Sequence, residues 1–321
     1  MSDKWNITDP VWGTISFSSE IEQDVKRIIE SDLFQRLRYS SHLGLAQMVY
    51  PGATHTRFSH SIGAAYIADR MCTHVGLGQD EHLIVVLTML LHDIGHAPFG
   101  HCFHRGLESL KGGVDPTSDK FWTKEIIRNH LGDCLNNSVT ADILSTMENP
   151  KLKSIIDSDV DADRIDYLSR DSHFTGVPYK VDVDHLIHSM KIDDNGIYFK
   201  YSGMSALQGI LFARKQMYNI VYKHPLVSAY EDCMTLIVNS CCKDEYRIES
   251  ILVPEFFMKA KQDDLAIHEL VPSFIKLSES DMWTFLKELS YQNTHQDLKE
   301  SVRPRLRPSK ALQSYFQRPI I

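Results

Sequence analysis

Leu83 to Leu91 is a mainly apolar run that passes directly into His92-Asp93. A stretch this hydrophobic predicts a fully buried helix. Its end delivers an imidazole and a carboxylate side by side, both good ligands for Zn, Mn, Fe or Ni. The run stops at Asp93-Ile94-Gly95, where Gly95 suits a C-terminal cap. At this length it falls far short of the ~20 apolar residues that span a bilayer, so no membrane partner is expected.

Helical periodicity dominates the rest of the chain. Glu20 to Tyr39 places Ile21, Val25, Ile28, Ile29, Leu33 and Leu37 on one stripe. Tyr50-Pro51-Gly52-Ala53-Thr54 reads as a turn. A helix follows from near Ser59 to His74, with Gly63, Ala64 and Ala65 allowing close packing. Lys111 to Ser118 is a loop. Helical pieces fall around 120–129, 141–147 and 159–170. The clearest β signal is a hairpin over 191–200 with an Asn195-Gly196 turn. A long helix over 205–223 comes next. After Ser250 a smaller helical segment leads to a basic tail, Arg303-Pro-Arg-Leu-Arg-Pro308. The expected fold is mostly α. It has a helical core over residues 1–245, one small β-hairpin, and a smaller helical C-terminal extension over residues 246–321 packed on the core.

Charge narrows the partners. Lys and Arg number 34 against 42 Asp and Glu, a net charge of −8. That disfavours a general nucleic-acid binder, though a local basic pocket for a phosphorylated ligand stays open. The six cysteines contain no C-x-x-C pair, and the N-terminus lacks the apolar core of a secretory signal. Reduced thiols and a cytoplasmic location are expected.

His96 stands four residues after His92, close enough to share a face while helical geometry persists. Two more candidate ligands lie in Thr56-Arg57-Phe58-Ser59-His60-Ser61 and in Asp159-Val160-Asp161-Ala162-Asp163-Arg164-Ile165-Asp166-Tyr167. Together with Phe34-Gln-Arg-Leu-Arg-Tyr39, "LHDIGHAPFGH" and "ARKQMYNIVYKH", these strings run in order across residues 30–225. In that order the sequence resembles the HD-domain phosphohydrolase superfamily. Within it, the sequence is similar to the deoxynucleotide triphosphohydrolase branch.

The resemblance implies an all-helical HD core and a divalent ion (Mn, Fe, Ni, Zn or Mg) held by His60, His92, Asp93 and Asp163. It places Arg57, Arg164, Tyr167 and Arg214 around a triphosphate. Leu43, Tyr222 and Asp171 would line the sugar pocket, with His42 where close members carry glutamine. His96 and His101 take acid–base or transition-state roles. Three positions depart from the usual pattern. His104 replaces a frequent acidic residue and is a candidate for proton transfer, Lys124 replaces a histidine, and Tyr218 stands where some relatives have another histidine. Glu30, Gln35 and Arg38 match an allosteric nucleotide site of the branch. A helix face with ordinary ion pairs is the other reading.

The implied activity is hydrolysis of a deoxynucleoside triphosphate to deoxynucleoside and triphosphate, by an assembly of identical subunits. The alternatives are another HD phosphohydrolase, such as a nucleotidase or single-strand nuclease, and a nucleotide-binding regulatory protein with little turnover.

Overall fold

The computed structural model describes residues 5–110, 115–132, 134–243, 254–261 and 266–291. It opens with a hairpin that the sequence pattern did not flag. Strands β1 (Ile7–Asp9) and β2 (Gly13–Ile15) pair antiparallel, with Asp9 opposite Gly13. The three-residue loop between them leads into Gly13, the first residue of β2, at φ +72°, a left-handed conformation that favours glycine. Asp9 Oδ1 accepts the backbone N–H groups of Val11 and Trp12 at 2.9 and 3.0 Å, which fixes the turn.

Helix α1 (Glu22–Ile29) is shorter than the predicted segment. Ser31 adopts an extended backbone and its side chain accepts the Phe34 N–H, so a new short helix starts there and passes into a 3₁₀ turn over Arg36–Tyr39. The stripe survives because both pieces face the same core.

Thr56 caps the central helix α2 (Arg57–Val75) by accepting the Ser59 N–H, and Gly76 ends it at φ +73°. Helix α3 (Gln79–Leu91) follows, with Val85 to Leu91 buried throughout. The apolar run is therefore a core helix, as its composition predicts. Gly95 does not cap it. A side chain there would meet the Thr123 backbone nitrogen at 2.2 Å, so the glycine serves close packing. Helices α4 (His101–Gly106), α5 (Asp119–His130) and α6 (Ala162–Thr175) complete the surroundings of this segment.

The second hairpin pairs β3 (Met190–Asp193) with β4 (Gly196–Phe199), and Asp193 faces Gly196. The turn residues are thus Asp194 and Asn195, one position earlier than predicted. Helix α7 (Met204–Met217) runs into a π turn over Tyr218–Tyr222 before α8 (Pro225–Cys242), so the predicted long helix changes winding at its last turn. Helix α9 (Glu279–Tyr291) is the last element described. The basic tail at 303–308 lies outside the described residues.

The fold is all-helical apart from these two small sheets among the described residues. One hydrophobic cluster runs from Ile15 through α2 and α3 to Phe256, Phe257, Phe274 and Phe285, so the described C-terminal helices share the core. Trp122 stacks on Phe274 at 4.2 Å within it. No helix among the described residues is long and apolar enough to cross a membrane.

Candidate metal centre

Three helices converge on one point. His60 sits in the first turn of α2, His92 and Asp93 follow the end of α3, and Asp163 lies in the first turn of α6. Asp161 caps α6 by accepting the Arg164 N–H at 2.7 Å, which aims the neighbouring Asp163 inward. His60 Nε2 lies 3.2 Å from His92 Nε2, 3.1 Å from Asp163 Oδ1 and 3.8 Å from Asp93 Oδ2. His92 Nε2 lies 3.4 Å from Asp93 Oδ1 and 3.6 Å from Asp163 Oδ1.

This geometry fits a divalent ion. Donors each ~2.0–2.2 Å from one ion lie roughly 3–3.5 Å from their neighbours. Both outer ring nitrogens are committed elsewhere. His60 Nδ1–H donates to Asp166 Oδ2 at 2.8 Å, and His92 Nδ1–H donates to the Met89 carbonyl at 2.6 Å. Each Nε2 is then left to face the shared point, where a metal ion would take the place of its proton. The electrostatics agree. Burial opposes charge on His60, but hydrogen bonds to Asp163 and Asp166 outweigh it and push its pKa up to about 10. Burial likewise opposes charge on Asp93, yet Arg57, His92 and His96 hold its carboxyl well below the usual range. The pocket is built to hold positive charge between its carboxylates.

A cavity of about 700 Å³ opens on this cluster. His96, His101, Arg57, Lys124, His42, Leu43, Tyr167, Asp171, Tyr218 and Tyr222 all line it. Arg57 donates to Asp93 Oδ2, and His96 Nε2 is 3.1 Å from Asp93 Oδ1. The His96 and His101 rings meet edge to face at 5.0 Å. Burial, then His96 and Arg57, lower the His101 pKa to about 4. Asp171 accepts the Tyr222 hydroxyl at 2.6 Å and His55 Nε2–H at 2.8 Å, with His42 Nε2 at 3.7 Å.

Other expected residues sit elsewhere. His104 is buried behind His96, where its Nε2 accepts the Ala97 N–H at 3.2 Å; it does not reach the cavity. Arg164 is drawn to Asp161, and Arg214 lies 3.6 Å from exposed Asp159, so neither guanidinium lines the cavity. Gln35 donates to the Ile29 carbonyl at 2.6 Å, Arg38 donates to Gln35 at 2.7 Å, and Lys26 lies 3.8 Å from Glu30. These are local pairs on a helix face.

The sequence reading missed Arg36, Asp119 and Thr123. Arg36 donates to the Ile94 and His96 carbonyls and so shapes the loop after His92. Asp119 Oδ2 lies 3.3 Å from His96 Nε2. Thr123 donates to the His92 carbonyl at 3.3 Å and accepts the Gly95 N–H at 3.2 Å. An acidic first residue of a helix reads as a dipole partner, so nothing in the spacing points Asp119 at His96.

Known proteins resemble this chain in sequence and in fold. Residues 57–171 match the HD domain family, and residues 181–262 match the HD associated region. An uncharacterized protein of Methanocaldococcus jannaschii is 32% identical over 293 residues, 88% of this chain and 58% of that protein. A deoxynucleoside triphosphate triphosphohydrolase SAMHD1 homolog of Dictyostelium discoideum is 29% identical over 232 residues, 66% of this chain and 45% of its own length. The chain thus spans about half the length of these curated relatives. The crystal structure of a phosphohydrolase from Bacteroides thetaiotaomicron superposes with a TM-score of 0.77 at 26% identity, covering 91% of this chain and 74% of that one.

Proposed function

Because the chain belongs to the HD-domain superfamily, we propose that it is a metal-dependent phosphohydrolase that cleaves a deoxynucleoside triphosphate into deoxynucleoside and triphosphate. The observation that carries this reading is the convergence of His60, His92, Asp93 and Asp163 at the floor of a cavity rimmed by cations. A divalent ion bound there supplies Lewis-acid polarisation of a phosphoryl oxygen and a more acidic water.

The remaining work falls to the chain. Arg57, anchored on Asp93, faces the position where charge develops on phosphorus. Lys120, Lys124 and Lys223 also line the cavity and balance the triphosphate charge that Arg164 and Arg214, turned toward Asp161 and Asp159, do not reach. His96 and His101 line that end of the cavity and are its candidates for proton transfer. Asp171, steadied by His55 and Tyr222, offers a carboxylate to a sugar hydroxyl. Leu43 and the aromatic rings of Tyr167 and Tyr222 give the sugar an apolar wall, against which an unpaired 2′-hydroxyl costs about 1–3 kcal/mol.

The test incubates the purified protein, supplied separately with Mn, Mg, Fe, Ni and Zn, with each deoxynucleotide, each ribonucleotide and a short single-stranded DNA. Deoxynucleoside plus intact triphosphate, absent in a His92→Ala/Asp93→Ala variant, supports the reading. Orthophosphate, monophosphate or shortened DNA assigns the site to a different phosphoester. Nucleotide binding without turnover favours a regulatory role.

A further inference from the structure

Behind His60 lies a buried carboxylate with every lone-pair direction taken. Asp166 Oδ2 accepts His60 Nδ1–H at 2.8 Å and Arg170 Nε–H at 2.9 Å. Its Oδ1 accepts a second Arg170 N–H at 2.9 Å and the Trp12 indole N–H at 2.5 Å. Asp166 and Arg170 are both fully buried. An ionised carboxylate offers about four acceptor sites, so Trp12 supplies the last of them.

The indole is itself held in place. Asp9 Oδ2 accepts a third Arg170 N–H at 2.8 Å, while its other oxygen accepts the Trp12 backbone N–H at 3.0 Å. The N-terminal hairpin is therefore bolted to α6 through one carboxylate and presents Trp12 to Asp166 through the same residue. Room for the pair comes from α2, where a side chain at Gly63 would meet Asp166 Oδ1 at 1.9 Å and Arg170 at 2.3 Å.

We propose that Trp12 is a positioning residue of the metal centre: by holding Asp166, it fixes the ring plane and tautomer of His60 and so sets the centre's affinity for a divalent cation. The inference rests on the metal-centre reading above. Its physical basis is that the partner of a ligating imidazole orients the ligand and raises its basicity. A carboxylate that loses one of four donors can turn about its own bond, and His60 Nδ1–H follows it.

The experiment titrates Mn²⁺ calorimetrically into chelator-stripped full-length protein, and it records the thermal midpoint of the metal-free form. Trp12→Phe deletes the indole donor and shortens the ring. It is expected to weaken Mn²⁺ binding about tenfold or more, and the metal-free midpoint records separately what the lost packing costs the fold. Trp12→His, whose Nε2 lies as many bonds from Cβ as the indole nitrogen, is expected to restore most of the affinity. Asp9→Asn, which loosens the hairpin from Arg170 and leaves the indole intact, should weaken binding in the same direction and serves if the aromatic variants fail to fold. Mn²⁺ affinity within about twofold of the parent in the folded variants overturns the proposal while leaving the metal centre standing. A parent that takes up none of Mn²⁺, Fe²⁺, Ni²⁺ or Zn²⁺ overturns both, whatever the protein hydrolyses.

Discussion

The Glu279 carboxylate accepts the backbone N–H of Phe99 at 3.2 Å, although 180 positions separate them. Phe99, at φ +61°, is the one non-glycine residue with positive φ among the described residues, and it leads into Gly100 and His101. The same carboxylate accepts the Ser41 N–H and hydroxyl, each at 2.7 Å, next to His42 and Leu43. The first turn of α9 thus holds two walls of the cavity together.

Glu279→Ala leaves those donors buried and unpaired, and it is expected to cost about 2–4 kcal/mol in denaturant unfolding. Burial raises the Glu279 pKa despite its Ser41 and Phe99 donors. A carboxyl raised on folding contributes its full stability below the ordinary carboxylate range and loses it as pH rises through the folded value. Glu279→Gln keeps an acceptor and removes the charge. It should gain on the parent as pH rises from acid to neutral, which thermal midpoints across that range measure directly.

Arg36 makes a second prediction. Burial, with Arg57 nearby, lowers its pKa only to about 10, so it stays charged at neutral pH and braces the Ile94 and His96 carbonyls. Arg36→Met leaves both carbonyls without that donor and should cost about 2–4 kcal/mol. Phosphohydrolase turnover should fall with it, because the loop carrying His96 loses its support.

His101 and His104 should separate in kinetics. His101→Ala removes a ring from the cavity and is expected to lower kcat by about 10²–10⁴-fold. His104→Gln retains an acceptor for the Ala97 N–H and should leave kcat within a small factor while lowering the thermal midpoint. Equal kinetic losses in the two variants would give His104 a direct role.

The thiols divide by burial. Burial pushes Cys241 and Cys242 up to about 12, and it raises Cys72 and Cys102 as well. Thiolate being the reactive form, these four should resist iodoacetamide in the native protein near pH 8 and react on denaturation. Cys134 and Cys233, both half-buried, should label first. Peptide mass spectrometry after a short pulse reads the order.

How far the sequence carries the structure follows from distance along the chain. The buried helix over Leu83–Leu91 was legible because its neighbours in space are mostly its neighbours in hydropathy. The cluster of His60, His92, Asp93 and Asp163 was legible because five strings in fixed order point to it. Trp12, Arg36 and Glu279 were not. Each acts through one to three hydrogen bonds to residues 58 to 238 positions away, and no local pattern records such a bond. The misread boundaries have local causes. Ser31 breaks a continuous stripe because its hydroxyl rewards an extended backbone, and a π turn at Tyr218 leaves the hydrophobic period almost undisturbed.

Gly63 has a consequence for how sequences of this kind diverge. Its missing side chain is the space in which Asp166 and Arg170 lie, so any larger residue there must be matched by a change at 166 or 170, and through Asp166 at 12. In an alignment of relatives these four columns should therefore vary as one block, and a sequence that alters a single member should have lost its grip on the ion before it lost its fold.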